Sequence, residues 1–212
     1  MLVLAHLAEV LLAAMVGYQA PRLTTVVPPS APWNVVIGNT VLAMAEVNTV
    51  GDVTDVRVLQ GVPPFREESV KAISKWKFEP AQLDGHAVAS QVSVLIMFRP
   101  HAFSHEGLGG PSFGFTPPET PKGDHPVLPH FIFDPGWPVT RYMNEGVAVF
   151  ELDITQGGGV DGIRTVRDVP ATAEYARHVV MQWVFTPAVV NGRPVRSRTV
   201  VAISFVRPVL SH

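Results

Sequence analysis

Apolar and polar residues follow one characteristic order along residues 41–98 of this chain. Two strand candidates, Val41–Asn48 and Val53–Gln60, flank a short stretch with a glycine and an aspartate, which is typical of a β-hairpin. Apolar residues then recur every three or four positions along residues 65–76, as on one face of a helix. A last apolar run, Val88–Phe98, predicts a third strand. The pattern therefore predicts strand, strand, helix, strand.

The same order returns along residues 148–205, which lie 107 positions further along the chain. The two stretches align without a gap and share 16 identical residues in 58 positions. This period is far longer than the ~20–50 residues of solenoid repeats. We therefore interpret the chain as two copies of one small domain, called copy one and copy two below.

A Trp-x-Phe-x-Pro-Ala signature follows the helical stretch of each copy, and Asp-Gly or Asn-Gly comes shortly after it. The pattern predicts that the tryptophan is the last core residue of the helix, that the proline stops the helix and that the glycine forms a tight turn. Because the aromatic residues continue the apolar helix face, we interpret them as core residues and not as a ligand platform. The structural residues of this doubled signature are Trp76, Phe78, Pro80, Gly85, Trp183, Phe185, Pro187 and Gly192.

The predicted fold class is α+β, with two copies of a two-layer strand-strand-helix-strand domain that each contain a three-stranded antiparallel sheet. Copy one is predicted to span residues 34–100, and copy two residues 129–212. Residues 101–128, rich in proline and glycine, are predicted to form a linker. Residues 1–33 hold an apolar segment and a proline-rich connector. Domains this small bury a limited share of their surface, so the copies could lean on each other or on a partner.

The apolar run within residues 1–20 leaves three interpretations open. It is shorter than the ~20 residues of a spanning helix, and Glu9 is costly at the centre of a bilayer. It resembles the core of a signal peptide, but no Lys or Arg precedes it and residues 18–20 are a poor cleavage site. A signal, an inner-membrane anchor and an ordinary packed helix all remain possible.

Composition narrows the function classes. The net charge of −2 argues against nucleic-acid binding, which needs a basic face. The absence of cysteine excludes disulfides and thiolate metal sites. The chain has no G-x-S-x-G, G-x-x-x-x-G-K-[ST] or H-E-x-x-H motif, so we predict no enzymatic activity and no cofactor.

Four histidines lie in or near the linker, at His101, His105, His125 and His130. His101 and His105 are four positions apart, a spacing that brings two ligands together only on a helix. Pro100 and the neighbouring glycines disfavour a helix there. We therefore predict no metal site.

The order of elements and the doubled W-x-F-x-P-A and [DN]-G signature resemble the TonB C-terminal domain family. The resemblance covers about residues 41–99 and 147–206. It implies a periplasmic interaction domain that adds a short peptide of an outer-membrane transporter to the edge of its sheet. The proline-rich spacer of the family's energy transducers precedes the domain, whereas here the long proline-rich stretch lies between the copies.

The resemblance implies a non-enzymatic cell-envelope protein that binds a partner peptide at a sheet edge and is linked to TonB-dependent transport. The alternative is an assembly module that uses its two domains for self-association, as a homodimer or by pairing within the chain. The third strands are the expected open edges, with candidate partner-binding residues Gln91, Ser93, Leu95, Arg196, Arg198 and Val200. The arginines at 193, 196 and 198 either protect an edge from aggregation or meet an acidic partner.

Overall fold

A computed structural model describes residues 17–32, 38–99, 116–135 and 144–206. Most of the predicted apolar segment within residues 1–20, together with His101 and His105, lies outside these ranges. Among the described residues, no helix is long and apolar enough to cross a membrane. The α+β class is confirmed, since the described residues form many strands and two helices.

The first half of the described chain contains copy one and the strands that precede it. Its elements are β1 (Tyr18–Gln19), β2 (Arg22–Thr25), β3 (Asn39–Val47), β4 (Val53–Gln60), α1 (Phe65–Ile73), β5 (Lys77–Glu79), β6 (Ala81–Leu83), β7 (His86–Val88) and β8 (Ser90–Phe98). The hairpin, the start of the helix and the last strand lie where the apolar pattern predicts them.

The second half repeats this order. Its elements are β9 (Leu128–Phe131), β10 (Gly146–Ile154), β11 (Val160–Arg167), α2 (Thr172–Val180), β12 (Val184–Thr186), β13 (Ala188–Val190), β14 (Arg193–Val195) and β15 (Ser197–Phe205). The internal repeat of the sequence is thus also a repeat of the structure.

The main strands of both copies form one six-stranded sheet, in the order β11-β10-β15-β8-β3-β4. Within each copy the strands pair antiparallel, but β8 and β15 pair parallel, with Val94–Met97 opposite Val200–Ile203. The expectation of two separate three-stranded sheets is therefore corrected. Residues 94–97 and 200–203 are at most 2% exposed, so both faces of these strands are covered.

The two helices lie on opposite faces of this sheet. Parallel pairing of equivalent strands relates the copies by a rotation about an axis along the strands, which exchanges the faces. Accordingly, the core under α1 extends across the seam to Val149, Val200 and Ala202 of copy two. The core under α2 extends in the other direction, to Leu42, Met44, Leu95 and Met97 of copy one. Each copy therefore completes the core of the other.

The helices end earlier than the sequence predicts. They end at Ile73 and Val180, and the signature that follows forms the short strands β5 and β12. These strands pair with β2 and β9, which precede the hairpin of each copy in the chain. The prolines of the signature therefore lie between two short strands and do not stop the helix. Long-range partners of this kind leave no periodic pattern in the sequence.

The segment that precedes copy one is also tied to copy two. The backbone N–H of Leu23 donates to the Glu151 carboxylate at 2.6 Å, and Arg164 Nη2 donates to the Leu23 carbonyl at 2.5 Å. Arg164 also forms an ion pair with Glu151 at 3.0 Å, and Glu151 is only 4% exposed. Arg198 adds a hydrogen bond to the Ala20 carbonyl at 2.9 Å. This partly buried clamp holds residues 20–23 against the sheet of the other copy.

Candidate functional site

The six candidate partner-binding residues lie at the centre of the sheet. Gln91, Ser93 and Leu95 are on β8, whereas Arg198 and Val200 are on β15 and Arg196 immediately precedes it. Since β8 and β15 each have a neighbouring strand on both sides, they are interior strands. This corrects the expectation that the third strands are open edges. Along Val94–Met97 and Val200–Ile203 their backbone groups already pair with each other, on the side where a partner strand was expected to bind.

Side chains reinforce the seam between the two copies. Thr199 Oγ1 donates to the Ser93 carbonyl at 2.9 Å and lies 2.7 Å from Ser93 Oγ. Further along, the backbone N–H of Arg99 donates to Ser204 Oγ at 2.9 Å. Ser93, Thr199 and Ser204 are all at most 3% exposed. Because buried polar groups are costly without partners, these hydrogen bonds favour the observed register of β8 against β15.

Two arginines of the predicted cluster, Arg196 and Arg198, are engaged in ion pairs. Arg196 pairs with Asp161, and Arg198 pairs with Asp153 at 2.9 Å. Arg198 also lies 3.9 Å from Glu151, within the clamp on residues 20–23. These contacts connect β15 and the residue before it to strands of copy two and to the chain that precedes copy one.

The tryptophans of the signature are core residues by position. Trp76 and Trp183 are at most 1% exposed, and Phe78 and Phe185 at most 5%. Trp76 Nε1 donates to the Val27 carbonyl at 2.8 Å. The signature phenylalanines also bond to the hairpin of their own copy, as the backbone N–H of Phe78 donates to Gly51 and that of Phe185 to Gly158, both at 2.8 Å.

A close backbone contact requires glycine in the β3–β4 turn and in the β10–β11 turn. Gly51 and Gly158 have φ of +89° and +85°, and a Cβ on either would collide with the carbonyl oxygen of Phe78 or Phe185. The signature strand therefore approaches the hairpin so closely that only glycine fits. This explains why the glycine recurs at the same place in both copies.

The second turn of each copy has positive φ at both central residues. Asp84 and Gly85 have φ of 52° and 78°, and Asn191 and Gly192 have φ of 52° and 70°. Such turns favour Asp-Gly and Asn-Gly in two-residue hairpins. In copy two the Asp124 carboxylate accepts the backbone N–H groups of Asn191 and Gly192 at 2.8 and 2.9 Å. These hydrogen bonds lower the pKa of Asp124.

The two ends of the sheet are its edges. Among the strands of the described ranges, β4 pairs only with β3, and β11 pairs only with β10. Both pairs contain two register irregularities, at matching positions in the two copies. β-Bulges and charged side chains are common at natural edges because they discourage unspecific pairing. The regular ladder between them covers Asp55–Val58 in copy one.

A groove of about 410 Å³ runs beside the β4 edge. It lies between β4 and α1 and is lined by Val56, Val58, Arg66, Glu67, Val70 and Lys71. Sequence reasoning missed this groove, since its valines are ordinary members of the strand and helix patterns. The signal was present only as a difference between the copies, because Thr165 and Arg177 replace Val58 and Val70 in copy two.

In residues 17–32, 38–99, 116–135 and 144–206, no group of three His, Asp or Glu side chains is arranged to hold a metal ion. His125 is largely buried, and its Nδ1 lies 2.9 Å from the Pro126 carbonyl. The buried Arg99 forms an ion pair with Asp134 at 3.0 Å, and burial lowers the pKa of Arg99.

Comparison with family models decides the relationship. The model of the Gram-negative bacterial TonB protein C-terminal region matches residues 37–100 and 140–206, well over half of the chain. The chain belongs to the TonB C-terminal domain family. Both copies match separately, as the internal repeat and the repeated structure require. The chain has no match among curated proteins. TonB C-terminal domains are non-enzymatic interaction domains that bind proteins such as outer-membrane transporters, which points to the periplasm or cell envelope.

Proposed function

We propose that this protein is a non-enzymatic component of the cell envelope whose tandem TonB C-terminal domains form one preassembled unit. In this proposal the unit binds an extended segment of a partner protein at a sheet edge and is linked to TonB-dependent transport. Residues 1–20 would direct the chain to the periplasm or anchor it to the inner membrane. The family match to both copies supports the interaction role.

The observation that carries the proposal is the parallel pairing of β8 with β15. It uses one edge of each domain to join the copies, and it leaves one edge of each domain at the ends of the sheet. A partner strand that adds to the intact unit therefore has β4 or β11 to pair with. Strand addition supplies affinity through backbone hydrogen bonds and selectivity through side-chain pockets.

The same pairing also favours a second candidate function. Each core continues across the seam, so the copies are packed as one body. A chain with this organisation can act as an assembly module without a peptide client. The two functions differ in whether the outer edges have a partner in the cell.

Site-directed photo-crosslinking in the native host tests the proposal. A crosslinking amino acid replaces Leu59 on β4 or Asp161 on β11, and Gln91 on the interior strand β8 serves as the control position. We expect a defined envelope protein at one or both outer positions and little product at Gln91. Products that contain only this chain would favour the assembly module. An absence of products at both edges would contradict partner binding, and fractionation of the same cells would test the envelope location.

A further inference from the structure

We propose that copy one alone carries a docking groove for an extended partner strand, formed by the edge of β4 and the adjacent face of α1. The partner strand places an apolar side chain against Val58 and Val70 and an acidic side chain beside Arg66. This inference rests on the proposed function and specifies its site. It places the partner beside β4, at the copy-one end of the six-stranded sheet.

The backbone of β4 supplies the first half of the site. An edge strand presents alternate N–H and C=O groups that have no neighbour. The regular part of the ladder, Asp55–Val58, lies between two register irregularities. It therefore offers a straight template of about four residues, enough to align one apolar and one acidic side chain on the same face of an added strand.

The groove beside this edge supplies the second half. Its volume of about 410 Å³ lies within the range of about 300–1,000 Å³ that is typical of ligand pockets. Val56, Val58 and Val70 are half-buried and form its apolar part. A side chain of an added strand that points toward α1 would contact these valines. The groove is thus placed where strand addition needs a specificity pocket.

Charge indicates the second feature of the partner. Arg66 lines the groove and has no ion pair or side-chain hydrogen bond with any residue of the described ranges. Lys71 lies 3.6 Å from Glu68, and both groups are solvent-accessible. Glu67 also lines the groove, but no ion pair joins it to Arg66 among the described residues. The guanidinium of Arg66 can therefore take a carboxylate on the partner, two residues from the apolar side chain, on the same face of the strand.

Copy two can be compared with copy one at this groove, because a hydrogen bond crosses the equivalent space in copy two. Thr165 and Arg177 replace the two valines at 58 and 70, and Arg177 Nη1 donates to Thr165 Oγ1 at 3.3 Å. This hydrogen bond joins α2 to β11 across the equivalent space. Ala173 also replaces the arginine at position 66. The apolar residues at 58 and 70 and the arginine at 66 are thus all replaced in copy two, although the fold and the edge strand are the same.

The test starts from a displayed library of random decapeptides selected against the purified whole chain. We expect enriched peptides to contain an apolar residue and an acidic residue two positions apart, and to protect backbone amides of 53–60 from hydrogen exchange. Synthetic versions of these peptides then provide affinities by fluorescence polarisation. A selection without enrichment over a blank, or protection at 160–167 or 90–98 instead, overturns the inference.

Exchanging residues between the copies supplies matched variants. The double substitution Val58→Thr and Val70→Arg introduces residues that the same fold already accepts in copy two, and we expect it to weaken peptide binding at least tenfold. Arg66→Ala should weaken binding about fivefold, and only for peptides that retain the acidic residue. The reciprocal change, Thr165→Val and Arg177→Val, should leave the affinity at copy one unchanged. Unchanged binding by the copy-one double variant overturns the inference.

The two proposals fail in different ways. If photo-crosslinking finds an envelope partner at Asp161, and the double variant at 58 and 70 leaves this product unchanged, the groove is not the site but the proposed function stands. If both edges lack partners in the cell, the proposed function itself fails. A second copy of the chain as the only occupant of β4, seen as a dimer in sedimentation that protects 53–60, also overturns the groove proposal.

Discussion

The hydroxyl groups of Ser93 and Thr199 meet across the seam between the copies, and their removal tests that seam. Thr199 Oγ1 donates to the Ser93 carbonyl, so the Ser93 hydroxyl is the donor in the 2.7 Å contact between the two side chains. Thr199→Val removes both hydrogen bonds without a large change in volume. Because Ser93 is 1% exposed, its hydroxyl would lose its partner in a place that water does not reach.

The expected change in the free energy of unfolding follows from these contacts. A net hydrogen bond contributes about 0.5–1.5 kcal/mol, and an unsatisfied buried group costs about 1–3 kcal/mol. We therefore expect Thr199→Val to lower the free energy of unfolding by about 2–3 kcal/mol and Ser93→Ala by about 1 kcal/mol. The double variant leaves no unpaired hydroxyl, so it should be more stable than the sum of the single effects predicts, by about 1 kcal/mol.

Urea unfolding of the four proteins, followed by tryptophan fluorescence, measures this coupling. Ser69→Ala combined with Thr199→Val is the matched control, since the buried Ser69 hydroxyl bonds only to Phe65 of its own helix at 2.7 Å. This control pair should be additive. Additivity within about 0.3 kcal/mol for the Ser93 and Thr199 pair as well would refute contact across the seam.

Three further changes test other contacts. Gly158→Ala should destabilise the fold by about 2–4 kcal/mol in urea unfolding, because its Cβ collides with the Phe185 carbonyl and its φ is positive. Glu151→Met, which introduces the residue of the equivalent position in copy one, should cost about 2–3 kcal/mol in the same assay, since the buried N–H of Leu23 loses its acceptor. Asp124→Asn should lower Tm at neutral pH, and the difference should disappear as the pH falls through the lowered pKa of Asp124 in the folded protein.

Each of these three substitutions has a control variant or a result that would contradict the expectation. At Gly192 an added Cβ meets no atom within 4 Å, so Gly192→Ala should cost only about 1 kcal/mol for its positive φ. Equal effects at Gly158 and Gly192 would argue against the steric contact. Glu151→Met with wild-type stability would show that the clamp on residues 20–23 does not form. A Tm difference for Asp124→Asn that grows in acid would contradict the sign of the pKa shift.

The repeat and the main elements of each copy could be predicted from the sequence. The hairpin turn and the [DN]-G turn rest on glycines with positive φ, a local requirement that fixes the residue type wherever the turn occurs. The helices have apolar faces of ordinary periodicity. Their ends could not be predicted, because β5 and β12 form only through pairing with β2 and β9, which lie more than 50 residues earlier in the chain.

The position of β8 and β15 was the main error, although a signal existed. Residues 94–97 and 200–203 are almost continuously apolar, and strands that are covered on both faces have this pattern. A half-exposed third strand would have alternated between apolar and polar residues. The continuous runs therefore indicated interior strands, but they could not indicate that each copy is the other's neighbour.

The clamp and the groove could not be predicted either, since both depend on contacts between distant segments. Glu151 corresponds to Met44 in the repeat, so its charge had no explanation until the structure placed Leu23 beside it. Val58 and Val70 are unremarkable apolar residues, and only their position beside an edge makes them candidates for binding. In the sequence, the clamp and the groove were indicated only by differences between the two copies.

The most direct test of the joined sheet is a disulfide across its seam. The chain has no cysteine, so Ser93→Cys combined with Thr199→Cys introduces a single pair. The two side-chain oxygens are 2.7 Å apart, so we expect refolding under oxidising conditions to give a monomer with an internal disulfide, detected by its mass and by its faster migration on a non-reducing gel. Ser93→Cys with Asp161→Cys should remain reduced under the same conditions. Failure of the first pair to close, or closure only between separate chains, would contradict the parallel pairing of the two copies.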